Sequence, residues 1–143
     1  MPYCEEFSEV HKVLDHIEPA SHAGGLSTNW CDMSTYHRAF VLIECGSIVT
    51  TLDVAVWQAT DQTGAGAKAV TSKSITQLAG GDDNALVGIE LRTEELDVTN
   101  GFNWIRVQTD NGGGGGNTYS VVLFGIVTRY APVGHTEFDE IVH

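Results

Sequence analysis

The chain is predicted to be all-β: an antiparallel, jelly-roll-like β-sandwich of about eight strands, carrying N- and C-terminal arms. Three observations lead there. Short segments rich in Val, Ile, Thr and Tyr alternate apolar with polar residues at a period of two, and clusters of Gly, Asp, Asn and Thr separate them at regular spacing. No internal repeat or change of composition marks a second domain. The expected organisation is an arm over residues 1–20, a sandwich domain over 21–131 and an acidic tail over 132–143.

Each element follows from local pattern. In the arm, Phe7, Val10, Leu14 and Ile17 fit a helical stripe, while Lys12 to Glu18 fits an extended run before Pro19 equally well. Ser27 to Cys31 adds a short strand. Arg38 to Cys45 (RAFVLIEC) is a nearly continuous apolar run, as expected of a central strand buried on both faces. Val49 to Thr60 alternates, with Leu52, Val54 and Val56 on one face. A turn dense in loop-forming residues spans Thr60 to Gly66, followed by a polar edge strand over Ala69 to Leu78. After the Gly80 to Asn84 turn, Val87, Ile89 and Leu91 alternate with Gly88, Glu90 and Arg92. Asn100-Gly101 is a favoured hairpin dipeptide before the strand Phe102 to Thr109. Five glycines, Gly112 to Gly116, make a hairpin loop before the long strand Tyr119 to Tyr130.

Composition excludes several classes of function. At 143 residues with 42% apolar content, the chain is long enough to bury a core and too apolar to be disordered throughout. No stretch approaches the ~20 apolar residues of a membrane-spanning helix. The acidic start, Met1 to Glu6, argues against a secretory signal and for a protein made and kept in a cytosol. A net charge of −12 disfavours nucleic acid and suits solubility or a basic protein partner. Cys4, Cys31 and Cys45 lack a C-x-x-C spacing and read as free thiols.

The search for chemistry ends without an active site. The glycine run lacks the Gly-Lys-Ser/Thr and helix of a phosphate loop, because Asn117-Thr118-Tyr119 enters a strand. His11 and His16 miss the i, i+4 spacing of a helical metal pair, and the remaining histidines are expected in loops or tails, with His37 before a strand. No metal or other cofactor is therefore expected. No G-x-S-x-G elbow or catalytic cysteine signature occurs, and the acid pairs Glu5-Glu6, Asp82-Asp83 and Glu94-Glu95 read as solvated. Trp57 and Trp104 fall on outward faces, where an arm, a neighbouring subunit or a sugar ligand would cover them.

Several phrases run in order along the chain: Glu18-Pro19-Ala20, Ala23-Gly24, Trp30-x-Asp32-Met33, Tyr36-His37-Arg38, Gln58-Ala59-Thr60-Asp61, Gly64-Ala65-Gly66-x-Lys68-Ala69, Glu95-Leu96-Asp97-Val98 and Arg129-Tyr130-Ala131-Pro132. This order resembles a group of small structural proteins of tailed bacteriophages encoded among head genes, some of them capsid decoration (cement) proteins. The tail after Pro132 departs from it. The resemblance implies a β-sandwich, often a homotrimer, made in the host cytoplasm and seated on the capsid exterior. Its partners there would be the major capsid protein and copies of itself, without nucleic acid, membrane or cofactor, and it would not be an enzyme. Partner contacts are then expected from Phe7, Val10, Leu14 and Ile17 of the arm, from Trp57 and Trp104, and from Asp61, Lys68, Asp82 and Asp83 in loops at one end of the sandwich. The alternatives are a head–tail or tail component and, from other classes, a carbohydrate-binding module or a cupin-like metalloenzyme.

Overall fold

The computed structural model describes residues 6–128 and 136–142. A four-residue helix α1 (Phe7–Val10) precedes eight strands: β1 (Lys12–His22), β2 (Cys31–Asp32), β3 (Tyr36–Cys45), β4 (Thr51–Ala59), β5 (Lys68–Ser74), β6 (Leu86–Arg92), β7 (Trp104–Gly112) and β8 (Asn117–Thr128). Two single helical turns, Thr93–Glu95 and Val98–Asn100, lie between β6 and β7.

The pairing has a simple logic. β1 pairs with β8, β2 with β7, β3 with β6 and β4 with β5, the contacts of one long hairpin folded about its β4–β5 tip. β3 also pairs with β8 and β4 with β7, which rolls that hairpin into two antiparallel sheets ordered β1-β8-β3-β6 and β2-β7-β4-β5. This is a jelly roll.

The period-two residues fill the space between the sheets. Val41, Ile43, Val121 and Leu123 from one sheet meet Leu52, Val54, Val56, Ile105 and Val107 from the other, all at most 1% exposed. Tyr36 lies across Gly125, where an added Cβ would stand 2.6 Å from the ring. At one end of the roll, Asn117 is fully buried; its Oδ1 accepts from the Val49 and Thr50 N–H groups, and its Nδ2 donates to the Thr51 carbonyl.

Several expectations change. Residues 12–20 are not an arm but most of β1, an edge strand of the first sheet. Its pairing with β8 is interrupted between Val13 and Asp15 and between Ile17 and Ala20, so neither a helical nor a strict two-residue period is legible there. Leu14 and Ile17 pack on the sandwich core rather than waiting for a partner. His16 and His22 stand within β1 and His37 within β3, so three histidines expected outside strands lie inside them. Asn100-Gly101 makes no hairpin: β6 and β7 belong to different sheets, and Gly101 (φ 83°) ends a helical turn in the crossover. The glycine run likewise bridges β7 and β8 across the two sheets. The Asp61–Lys68 and Gly80–Asn84 loops flank β5 and so sit at opposite ends of the sandwich, not at one end. Of the expected acidic tail, residues 132–135 and 143 fall outside the described residues, as do positions 129–131 and 1–5.

Ile17→Ala is expected to cost about 2–5 kcal/mol in urea unfolding, the range for truncating a core side chain. Phe7→Ala, at a residue 60% exposed, should stay within about 1 kcal/mol. Equal costs would contradict the placement of β1 in the core.

Candidate interaction faces

The outer face of the β1-β8-β3-β6 sheet is apolar. Directly opposed residues of an antiparallel pair share a face, so the register places Phe40 beside Phe124 and Leu42 beside Val122. Leu42 also opposes Gly88, and Phe40 rests so close to Gly88 that an added Cβ would stand 2.9 Å from its ring. Val13 opposes Phe124 on this side and is buried, while Phe7 of α1 meets Phe124 edge-on at 6.1 Å between ring centres. The N-terminal turn therefore covers one end of the face, with Val10 half-buried in it. Phe40, Leu42, Val122, Phe124 and Ile126 remain half-exposed, and Leu86 on the neighbouring edge strand is 69% exposed. Glu44 and Glu90 stand on the same face, opposite Leu86 and Phe40. The apolar runs in β3 and β8 called for burial on both sides; among the described residues only the inner side receives it in full.

The outer face of the second sheet is aromatic and polar. Trp57 opposes Arg106, and Trp104 opposes Ala59 on the adjoining pair, so both tryptophans stand on this face as diagonal neighbours. Both are half-buried. The Arg106 guanidinium lies 4.7 Å over the Trp30 ring and donates to Gln108 at 3.0 Å. Gly64 (φ +85°) lets the β4–β5 turn press on the Trp30 indole, where a Cβ would come within 2.5 Å of Nε1. Lys68 caps Phe102 at 4.1 Å and pairs with Asp97 at 2.6 Å. Much of this face is thus closed by its own cations and turns.

The acidic loop residues are occupied locally. The Asp61 carboxylate accepts from the Thr63 hydroxyl and the Thr63 and Ala65 N–H groups, which hold it below the usual carboxylate range, the hydroxyl contributing most. Asp97 is lowered likewise, chiefly by Lys68 and then by Asn100. Asp82 accepts from Ala79 N–H, and Asp83 from Ile48 N–H at 2.8 Å. These aspartates staple turns, the behaviour that makes Asp frequent in loops. Lys68, Asp61, Asp82 and Asp83 do not converge on one surface. A cleft of about 1080 Å³ opens where β3 meets the β6–β7 crossover, lined by His37, Arg38, Arg92, Glu94 and Asn103 among others. There Arg38 pairs with Glu90 at 3.5 Å and Arg92 with Glu94 at 3.6 Å. Sequence reasoning missed this cleft, because its walls come from segments distant in the chain.

No protein-family model matches the chain. No curated protein matches it either. Among solved structures, the SPBc2 prophage-derived protein YomS is similar at 12% identity and a TM-score of 0.49, over 82% of this chain and 91% of its own. A chain from Broad Bean Stain Virus is similar at 9% identity and 0.43, over 99% and 97%. The N-terminal cellulose-binding domain of Cellulomonas fimi β-1,4-glucanase C is similar at 14% identity and 0.39, over 87% and 89%. Likenesses at these values carry no argument about what this chain binds.

The two described cysteines, Cys31 and Cys45, are free thiols. Burial, followed by the charges of Asp15 and Glu137, pushes Cys31 up to about 12, and burial also raises Cys45. Since the thiolate is the reactive form, both should resist a thiol reagent at pH 8 in the folded protein and react promptly in urea. Mass mapping of the alkylated cysteines checks this; rapid native labelling of Cys31 or Cys45 would contradict the burial described.

Proposed function

We propose that this chain is a structural protein of a virion, a jelly-roll module without a catalytic role that decorates an icosahedral capsid by docking on the major capsid protein. The observation that carries the proposal is the apolar outer face of the β1-β8-β3-β6 sheet. Strands apolar on both sides belong to sheets covered on both sides, and here the second cover is supplied by another molecule. Phe40, Leu42, Val122 and Leu86 form the contact, and burying them contributes about 25 cal/mol per Å² of apolar surface. The phrases spread along nearly the whole chain, and their resemblance to phage head proteins, support the choice of partner. Glu44 and Glu90 on the face, and the −12 charge behind them, favour a basic capsid patch and speed encounter at low salt. Binding that favours the closed shell stabilises it by mass action, and many copies multiply the effect.

The homotrimer belongs to the same proposal. Trp57 and Trp104, on the other sheet, serve contacts between copies and leave the apolar face free for the shell. A carbohydrate-binding role is the second reading; the observation favouring it is that Trp57 and Trp104 share one face with Gln108.

The test uses capsids of the encoding phage that lack this protein. Adding the wild-type chain should raise their melting temperature and add surface density in electron micrographs. A Leu42→Asp/Leu86→Asp variant that keeps its own melt should bind about tenfold more weakly or worse, and added salt should weaken wild-type binding. Unchanged shell melting without added density would sink the proposal. Density confined to a tail or portal vertex would replace decoration by a head–tail role. Quenching of tryptophan fluorescence by soluble glycans, without shell binding, would favour the second reading.

A further inference from the structure

We propose that Asp15, His16 and Glu137 form a divalent-cation site of the zinc-binding kind, which clips the chain near its C-terminus onto edge strand β1. One ligand atom from each of the three side chains lies within 4.8 Å of the others. Neighbours along a regular strand point to opposite faces. Asp15 opposes Leu123 and His16 opposes Val122, so the two leave β1 on opposite sides, and because β1 is a sheet edge their ligand atoms still come within 4.8 Å of each other around its rim.

The donor set suits a borderline metal: one imidazole nitrogen and two carboxylates, with an open position for water. His16 Nδ1 stands 3.6 Å from Glu137 Oε2. Ligand atoms of a tetrahedral zinc bonded at about 2.0–2.1 Å stand roughly 3.3 Å apart, so the two need close by only a few tenths of an ångström. Asp15 is already oriented. Its Oδ1 accepts from the His16 N–H at 2.8 Å and its Oδ2 from the Asn29 N–H at 2.6 Å. Such outer hydrogen bonds fix a ligating carboxylate and leave it further lone pairs for a metal. Asn29 precedes β2, so one ion would tie together the rims of both sheets and residues 136–142. The site bears on stability of the chain itself and does not depend on capsid docking.

The test is a titration of untagged, chelator-stripped protein with zinc chloride, followed by calorimetry and by thermal melting. One zinc per chain and a higher melting temperature are expected. Affinity should fall about tenfold or more in His16→Ala and in Glu137→Gln and hold in Glu140→Gln. Glu137 lies outside the sheets, so Glu137→Gln reports on the site even if His16→Ala unfolds. Absence of both heat and melting shift up to millimolar zinc would overturn the proposal. Equal affinity in Glu137→Gln and wild type would overturn it too, since the ion would then be held by diffuse acidic surface.

Discussion

Strand β8 is the constraint from which the rest of the molecule follows. It is paired along both edges, with β1 on one side and β3 on the other, so it sits inside its sheet. Its inward residues, Tyr119, Val121 and Leu123, are at most 1% exposed. Its outward residues, Val122, Phe124 and Ile126, are apolar as well. A strand of this composition has no side that is content in water. The inner side is satisfied by rolling the long hairpin so that β4 and β7 face it. The outer side is satisfied at one end by Val13 and Phe7, and elsewhere it stays half-exposed among the described residues, the side that the proposed function assigns to another molecule. The fold and the proposed interaction surface therefore stem from one feature of one strand.

How much of this was legible in the sequence depended on the range of the interaction concerned. β3 and β4 were readable because their patterns are local: Leu52, Val54 and Val56 point inward in register, as the alternation requires. The choice of sheet for each successive strand was not local. Asn100-Gly101 offers good turn chemistry, yet turn chemistry does not say whether the next strand pairs with the last or crosses to the facing sheet. β1 was obscured for a different reason. Its two interruptions shift the phase of the pattern, and Pro19 lies within the second, between Ile17 and Ala20. A proline there removes a donor that an interrupted ladder does not need.

Charge misled in a similar way. Counting residues gives −12, and an acidic loop then looks like a free electrostatic surface. Asp61 and Asp82 instead hold backbone N–H groups of their own turns, Asp83 holds the Ile48 N–H of the β3–β4 loop, and Asp97 pairs with Lys68 at the start of β5. For Asp61 and Asp97 the ionised form is bound into the fold, and their depressed carboxyls show the sign: this contribution is present above the ordinary carboxylate range and is lost as pH falls through the lowered values. The negative field persists at long range, while at short range part of the acceptor capacity of these groups is already used inside the chain.

The two outer faces consequently differ in what they can do. On the aromatic sheet, Arg106 covers Trp30 and Lys68 covers Phe102, so part of its apolar area is already shielded by cations whose charge is in turn hydrogen-bonded or paired. A ligand there would compete with contacts the chain makes itself, which lowers the net gain. On the apolar sheet, Phe40, Leu42, Val122 and Leu86 have no such cation over them among the described contacts, while Glu44 stands beside Leu86 and Glu90 beside Phe40, the latter paired with Arg38. A partner docking there removes apolar surface from water without first displacing an internal cation. The glycine at position 88 adds to this: with no side chain of its own, it lets the Phe40 ring lie flat across β6, where an added Cβ would stand 2.9 Å from the ring. Unshielded apolar area is thus concentrated on the β3–β6 pair, and that is where the proposed contact with a partner is expected to centre.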